Sequence, residues 1–507
     1  MGEILTQLSH GFSVALTFTN VLWMTVGAAL GTVLGMLPGL GPTTGIALLL
    51  PMTFGMEPAT ALIAMSAIYY GAMFGGSRSS ILLNVPGDGA AVASCFDGYP
   101  MAQKGRAEAA LAISAIASFI GGLIATVAFV LIALPMARFA LKFGPAEYFV
   151  LMIFALAATA AISKEAIIKG LIAMAIGLMF TTVGLDHQSG MPRFTFGITE
   201  LQTGIDFVVV IIGIYGIGEV FENLEHIAKA VVKPVQTKFG KIWITMEDWK
   251  RSFWPIIRQT PVGFLIGILP GAGGTIAALM AYNNEKQISK RSHEFGEGAI
   301  EGLAAPEAAN NACSVGAMIP MLTLGVPGSG TTAIMLGALL ILGLQPGPLL
   351  FQQHPDIAWG IIASMFLGNV VCAIINIPLA GLLVRVLSVP PRILYPLIVS
   401  IAFLGVYTIN FSAVDFVILT ILGFVGYLMK KFKIPAAPLI LASVVGEMME
   451  SSFRQSMMLS DGSFGIFFSS TITNVLWLLA IGSIAWPFIS DYRARKKNEH
   501  TVDVPLE

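Results

Sequence analysis

The sequence predicts an all-α polytopic membrane protein made of two inverted-topology repeats with discontinuous helices or re-entrant hairpins. Three observations predict it. The 507 residues are 56% hydrophobic and 11% charged, where a soluble domain carries about 25% charged residues. Apolar runs of spanning length follow one another almost to the end of the chain. Two apolar blocks broken by Gly and Pro recur in the same order in both halves, a pattern of secondary transporters. A soluble enzyme, a disordered scaffold and a singly anchored peripheral protein are excluded, and a net charge of −1 leaves no basic footprint for nucleic acid.

Reading apolar runs of about 17–25 residues as spans, the first half has candidates near 12–34, 58–84, 108–136, 146–162, 165–184 and 204–222. The second half has them near 252–269, 304–325, 356–386, 393–410, 411–429 and 467–490. Between these lie apolar stretches interrupted by Gly or Pro, at 35–56, 85–100, 267–284, 326–346 and 435–449. The expectation is about 10–14 membrane crossings. MGEILTQLSH at the start lacks a basic n-region, so no cleaved signal is expected. The charged stretch 285–303 reads as a solvated loop, and 437 onward as an apolar then amphipathic segment suited to the interface.

GMLPGLGPTTG (35–45) lies over GILPGAGGTIA (267–277), with six identities in eleven positions. YYGAMFGGSRSSILLNVPGDG (69–89) lies without a gap over NNACSVGAMIPMLTLGVPGSG (310–330), and VPGDG against VPGSG is its best core. The division is then 1–222 as first repeat, 223–258 as a basic cytoplasmic connection and 259–430 as second repeat. An extension over 431–490 holds the last span, and 491–507 is a cytoplasmic tail. Basic residues set the orientation. None precedes Arg78, whereas Lys229, Lys233, Lys238, Lys241, Lys250, Arg251 and Arg258 crowd the connection before the second copy. Lys104 and Arg106 follow the first copy, and no basic residue falls between Arg291 and Arg385 after the second. The flanks of the two copies thus face opposite sides, and Arg493, Arg495, Lys496 and Lys497 put the C-terminus in the cytoplasm.

A helix broken in mid-membrane leaves backbone N–H and C=O groups without helical partners, tolerable only inside protein or facing a wet cavity. Where the helix resumes, its N–H groups and positive dipole end suit a carboxylate, while carbonyls at the preceding end suit Na⁺. The residues at the resumption points are good N-caps or small donors: Thr43, Thr44, Asp88, Thr275, Ser329, Thr331 and Thr332. Asn84 and Ser77 in the first copy, with Asn310 and Asn311 in the second, add embedded polar side chains. Arg78 is costly at membrane depth unless paired or wet. It neutralises an anion, pairs with Asp88 or Glu307, or plays a structural or snorkelling part, and the last is favoured because the second copy has Ile319 there. No G-x-x-x-x-G-K-[ST] occurs, so no ATPase resides on this chain. The scattered histidines and the spacing of Cys95, Cys313 and Cys372 show no metal or disulfide pattern. An enzyme is not expected.

On these residues the chain resembles the large membrane subunit of the tripartite tricarboxylate transporter family. The resemblance rests on GMLPGLGPTTGIALLLPMTFGM (35–56), YYGAMFGGS…ILLNVPGDGA (69–90), DGYPMAQKGRA (97–107), AAPEAANNA (304–312), LTLGVPGSGTTA (322–333) and APLIL…RQSMMLSDG (437–462). It departs at Arg78, where neutral residues are usual, and at Gly446-Glu447, where Gly-Pro is frequent. The resemblance implies a bacterial inner-membrane permease for organic carboxylates, driven by a Na⁺ or H⁺ gradient and without a cofactor. It implies two partners, a periplasmic substrate-binding protein and a small membrane subunit with about four spans. Carried over by motif, the implied substrate-binding residues are Gly39, Gly41, Thr43, Thr44, Ser77, Asn84 and Gly87 in the first copy. In the second they are Gly271, Gly273, Thr275, Asn310, Asn311, Gly328, Ser329, Thr331 and Thr332, with Asp88 and Glu307 as ion-binding candidates. The alternative reading is an anion channel, or a single-component carrier without a binding protein.

Overall fold

The computed structural model describes residues 2–485, apart from 38, 162–166, 187–188, 227–242, 380–382 and 384–390. The tail at 491–507 and the central part of the basic connection therefore lie outside the described residues. The chain is helical almost throughout, with one two-stranded ladder, Gly184–Leu185 (β1) against Pro192–Arg193 (β2), among the described residues. Six helices among the described residues are long and apolar enough to cross a membrane by length and composition. Five further apolar helices among the described residues are shorter, 10–17 residues.

The chain divides into two compact units, and these do not follow the halves of the sequence. The first unit is Met1–Leu141 with Ile205–Lys431. Its first portion runs through α1 (Gly2–Ala15), α2 (Phe18–Met36), α3 (Pro42–Leu49), α4 (Pro58–Leu83), α5 (Val92–Met101) and α6 (Ala107–Ala140). The expected span over 12–34 is two helices, and Asn20 makes the corner between them. Its Nδ2 donates to the carbonyl of Val14 at the end of α1 (2.8 Å), while its Oδ1 accepts from Thr60 (2.6 Å).

The later portion of this unit begins with α9 (Phe207–Ile211), a π-helical stretch over Ile212–Ile217 and α10 (Gly218–His226). There follow α11 (Met246–Ile268), α12 (Gly273–Ile288), α13 (Ile300–Leu324), α14 (Gly330–Ile341), α15 (Pro348–Gln353) and α16 (Pro355–Asn376). Helices α17 (Pro391–Asn410) and α18 (Ala413–Lys431) complete it. A capping box starts α11: the Thr245 hydroxyl accepts from the Asp248 N–H, and the Asp248 carboxylate accepts from the Thr245 N–H, both at 3.1 Å.

Two helices form the heart of this unit, one from each copy. Every residue of α13 is buried, as is every residue of α4 from Thr60 to Leu82. Helix α2 packs on α4 and α11 on α13, each through small residues. A Cβ at Gly31 or Gly35 would strike the backbone of Ile68 or Ala72, and one at Gly263 or Gly267 that of Ala309 or Cys313. Such backbone contact gives van der Waals packing in lipid, where apolar burial supplies little drive between helices.

The second unit comprises Lys142–Gly204 and the chain from Phe432. It holds α7 (Pro145–Ala161), α8 (Ile167–Thr181), the β ladder, α19 (Ala436–Leu459) and α20 (Thr471–Ala485). The stretch 435–449, expected to be broken, is part of continuous α19, because Pro438 falls in the first turn, where its missing N–H costs no helical bond. An ion cluster closes one end of this unit: Arg454 bonds Asp186 (2.7 Å) and Glu450 (2.5 Å), and Arg193 bonds Glu450 (2.8 Å). Along α8, Ile168, Ile172, Ile176 and Met179 form an exposed apolar stripe at helical spacing, as suits a helix facing lipid tails.

Candidate functional site

Four helix breaks lie in the first unit, and the geometry of each pair is repeated. In the first copy α2 ends at Met36, Leu37 is extended, and α3 resumes at Pro42. In the second, α11 ends at Ile268, Leu269 is extended, and α12 resumes at Gly273. The other two breaks follow α4 and α13, which end on left-handed residues at matching positions, Asn84 (φ 56°) and Gly325 (φ 70°).

Within each copy the two breaks are tied by one backbone bond. Gly39 N–H donates to the Gly87 carbonyl (3.2 Å), and Gly271 N–H donates to the Gly328 carbonyl (3.0 Å). Gly39 (φ 83°) and Gly271 (φ 80°) sit in the left-handed region open to glycine. A Cβ at Gly87 would run into the Gly35 carbonyl and one at Gly328 into that of Gly267. These glycines bring backbone against backbone at the breaks.

The four helix starts differ in how they are capped. Asp88 and Ser329 are true N-caps: Asp88 Oδ1 accepts from Ala91 N–H (3.1 Å), and Ser329 Oγ accepts from Thr332 N–H (3.2 Å). The starts of α3 and α12 have no side-chain cap. There the N-caps are Gly41 and Ala272, so Thr43 and Thr275, expected as caps, lie inside the first turn instead. The physical reason is that Pro42 and Gly273 begin these helices earlier than the threonines would. Their side chains are released to reach across.

They reach the other copy. Thr43 Oγ1 lies 2.9 Å from Thr331 Oγ1 on α14. In the reciprocal place, Thr275 Oγ1 is packed against Gly89, where a Cβ would collide with it. Thus the first break of each copy meets the second break of the other. Tyr69 joins the crossing from the middle of α4, its hydroxyl 3.4 Å from Ser329 Oγ. Sequence reasoning passed over Tyr69; the signal was its place at the head of the second repeated block, opposite Asn310. Asp88 lies against Gly41, half-buried, and Thr44 is buried at the start of α3. Gly273 (φ 63°) opens α12 with no neighbour close to it.

Other expected site residues make their bonds outside this crossing. Ser77 bonds Ser114 of α6 (2.7 Å) and the Phe74 carbonyl (3.1 Å). Asn84 is exposed and serves as the left-handed end of α4. Asn311 donates to the Glu307 carbonyl (3.1 Å) and to Asn310 Oδ1 (2.6 Å), both asparagines being buried. Glu307 accepts from Ser94 and from Ser118 (3.1 Å). Arg78 does not snorkel, since it is fully buried, and among the described residues it forms no ion pair with Asp88 or Glu307. Its guanidinium donates to Asn376 Oδ1 (3.2 Å), the Asn376 carbonyl (3.0 Å) and the Leu111 carbonyl (3.2 Å).

The expected solvated loop before α13 is anchored at its end. Asp97 Oδ1, in the DGYP stretch of α5, accepts from the N–H groups of Gly296 (2.9 Å), Gly298 (2.8 Å) and Ala299 (2.7 Å). Arg251 adds ion pairs to Glu294 (2.5 Å) and Glu301 (2.7 Å). The Arg251 guanidinium holds the Glu294 carboxyl below the usual carboxylate range. A buried acceptor able to gather three backbone donors outcompetes hydration of this segment.

Comparison with known proteins places this geometry in a family. The model of the "Tripartite tricarboxylate transporter TctA family" matches residues 21–441. A protein of Agrobacterium vitis, "Uncharacterized 52.8 kDa protein in TAR-I ttuC' 3'region", is 41% identical over 498 residues, covering 98% of each chain. A second, "Uncharacterized protein in TAR-II ttuC' 3'region" from the same organism, is 39% identical over 234 residues, 46% of this chain and 97% of that relative. No solved structure matches the chain. Apolar helices of spanning length and a family match over most of its length agree: this multi-pass membrane protein belongs to the tripartite tricarboxylate transporter TctA family and is a transporter component.

Proposed function

We propose that the chain is the permease subunit of a bacterial inner-membrane uptake system for organic carboxylates of the di- and tricarboxylate type. A periplasmic binding protein delivers the substrate, a small membrane subunit completes the complex, and a Na⁺ or H⁺ gradient drives accumulation. The two copies are inverted in the membrane, the C-terminus is cytoplasmic, and alternating access works around a site between them.

The observation that supports this reading best is the reciprocal crossing in which the uncapped start of α3 or α12 meets the capped helix start of the other copy. The first N–H groups of α3 and α12 have no side-chain acceptor, and the positive ends of both helix dipoles lie there. A carboxylate placed between Thr43, Thr331, Ser329 and Thr275 would receive backbone N–H and hydroxyl donors without meeting a fixed cation. Such neutral donors permit binding and release, where a buried Lys or Arg would hold an anion tightly. Asp88, set against Gly41 beside the same breaks, is the carboxylate through which a coupling proton or Na⁺ acts, with the break carbonyls and hydroxyls as neutral oxygen ligands.

The test is uptake of radiolabelled citrate, succinate and tartrate into proteoliposomes holding the chain and the small subunit, with the binding protein added outside. At least one of these acids should accumulate, with saturation and with loss of uptake when the gradient is dissipated. Flux that never saturates and carries large unitary currents would instead assign a channel. Uptake undiminished without the binding protein would assign a single-component carrier.

A further inference from the structure

We propose that Arg78 is the fixed counter-charge of Glu307, acting across one turn of α6 rather than through a direct ion pair, so that each copy compensates the other's buried charge and the coupling cation binds elsewhere. This rests on the ion-coupled reading above and narrows it.

Arg78 on α4 and Glu307 on α13 are both 0% exposed. An ionised group taken out of water costs several kcal/mol or more unless an opposite charge and hydrogen bonds compensate it. Each has its hydrogen bonds, but from neutral partners. Arg78 is held by Asn376 and by the Leu111 carbonyl, with Ser114 Oγ at 3.5 Å. Glu307 is held by Ser94 and Ser118. Ser114 and Ser118 are one turn apart on α6, hence on one face of that helix. The guanidinium and the carboxylate therefore flank a single helical turn, with serine hydroxyls attached to each.

Among the described residues no other charge answers Arg78. The serines that hold the two groups set Glu307 across one turn of α6 from it. Neither charge is duplicated: the position matching Arg78 in the second copy is Ile319, and that matching Glu307 in the first is Ser66. Each copy contributes one member, so the pair exists only when the copies are packed together. A carboxylate already compensated by a covalently fixed cation gains little from Na⁺, because the added ion would leave Arg78 and Glu307 together with a net positive charge.

The full-length protein, purified in detergent, tests the pair through its melting temperature. R78Q and E307Q should each lower it by about 5 °C or more, since breaking a buried pair strands the other charge. R78Q/E307Q should recover most of the loss, and R78K, which keeps the charge but not the guanidinium fork, should stay closer to wild type than R78Q. If either single variant fails to accumulate, recovery of the double variant in the membrane supports the pair equally, and its failure to recover overturns it. A double variant no more stable than the weaker single also overturns the pair. In the proteoliposome assay with radiolabelled citrate, succinate and tartrate, R78Q/E307Q should still require the gradient. A stable double variant whose uptake has become gradient-independent would show that Glu307 is the coupling group and overturn the proposal. If the wild-type protein accumulates none of the three acids, the transport reading fails there, while the melting data still decide the charge pair.

Discussion

Thr43 Oγ1 and Thr331 Oγ1 stand 2.9 Å apart, joining the first helix break of one copy to the second break of the other. No other side-chain hydroxyl contact in the described residues links two helix starts of different copies so directly. The threonines are single-turn neighbours of the helix ends, Thr43 following Gly41 and Thr331 following Ser329. Movement at one break is therefore felt at the other. Replacing either by Val keeps shape and removes the bond, at about 0.5–1.5 kcal/mol of stability. T43V and T331V should fold normally and lose tenfold or more in maximal uptake, with T43V/T331V no worse than either. A double variant that shows the product of the two single losses would show that the residues act independently.

The glycine ties within each copy give a second expectation. G87A and G328A place a methyl group against the carbonyls of Gly35 and Gly267. Overpacking of this kind costs about 1–3 kcal/mol, and the colliding atoms are backbone, which yields little. Both variants should melt several degrees below wild type in detergent. Equal melting temperatures for G87A and wild type would mean that the two breaks of the first copy are not held in contact.

Asp97 offers a third test. D97A leaves the N–H groups of Gly296, Gly298 and Ala299 without their acceptor, and the connection before α13 loses its anchor. Trypsin should then cleave after Lys290 or Arg291 at least tenfold faster than in wild type. Unchanged cleavage in a folded D97A protein would contradict the anchoring.

The Arg251–Glu294 pair adds a pH dependence. The Glu294 carboxyl is depressed in the fold, so its contribution is present above the ordinary Glu range and is lost as pH falls through the folded value. About a third of the Glu294 side chain is exposed (35%), which limits the contribution to a fraction of a kcal/mol and makes it sensitive to salt. E294Q should slightly raise amide hydrogen exchange over 290–299 at pH 7, after correction for intrinsic rates, and the difference from wild type should shrink as the pH falls below the ordinary Glu range. A difference that stays constant down to pH 3 would remove the ion pair as its cause.

Much of this arrangement was legible because its signals are local. LPG and VPG mark the breaks, and Asp88 and Ser329 announce caps three residues before the N–H groups they accept. Thr43 and Thr275 show where local reasoning stops: they look like caps, but Pro42 and Gly273 start the helices first. Ser77 shares its stretch with the break residues yet turns to Ser114, thirty-seven residues away. Asn376, nearly three hundred residues from Arg78, is a partner that no spacing rule can supply. Tyr69 was hidden by sitting in an unbroken apolar run, where an aromatic reads as core. The anchoring of 296–299 by Asp97 depends on a turn of three donors toward one oxygen, a geometry set by tertiary packing rather than by sequence pattern.

A carboxylate seated at the crossing of the breaks is what the proposed transport stands on. Single cysteines at Thr43 and Thr275, each in a variant with Cys95, Cys313 and Cys372 changed to serine, probe that position. The rate of modification by a membrane-impermeant thiol reagent is measured in proteoliposomes, with and without the transported acid and the coupling gradient. The acid should slow modification of both T43C and T275C tenfold or more, and leave a cysteine at the exposed Lys290 unaffected. Modification of T43C and T275C at the same rate with and without the transported acid would contradict a carboxylate site at the crossing.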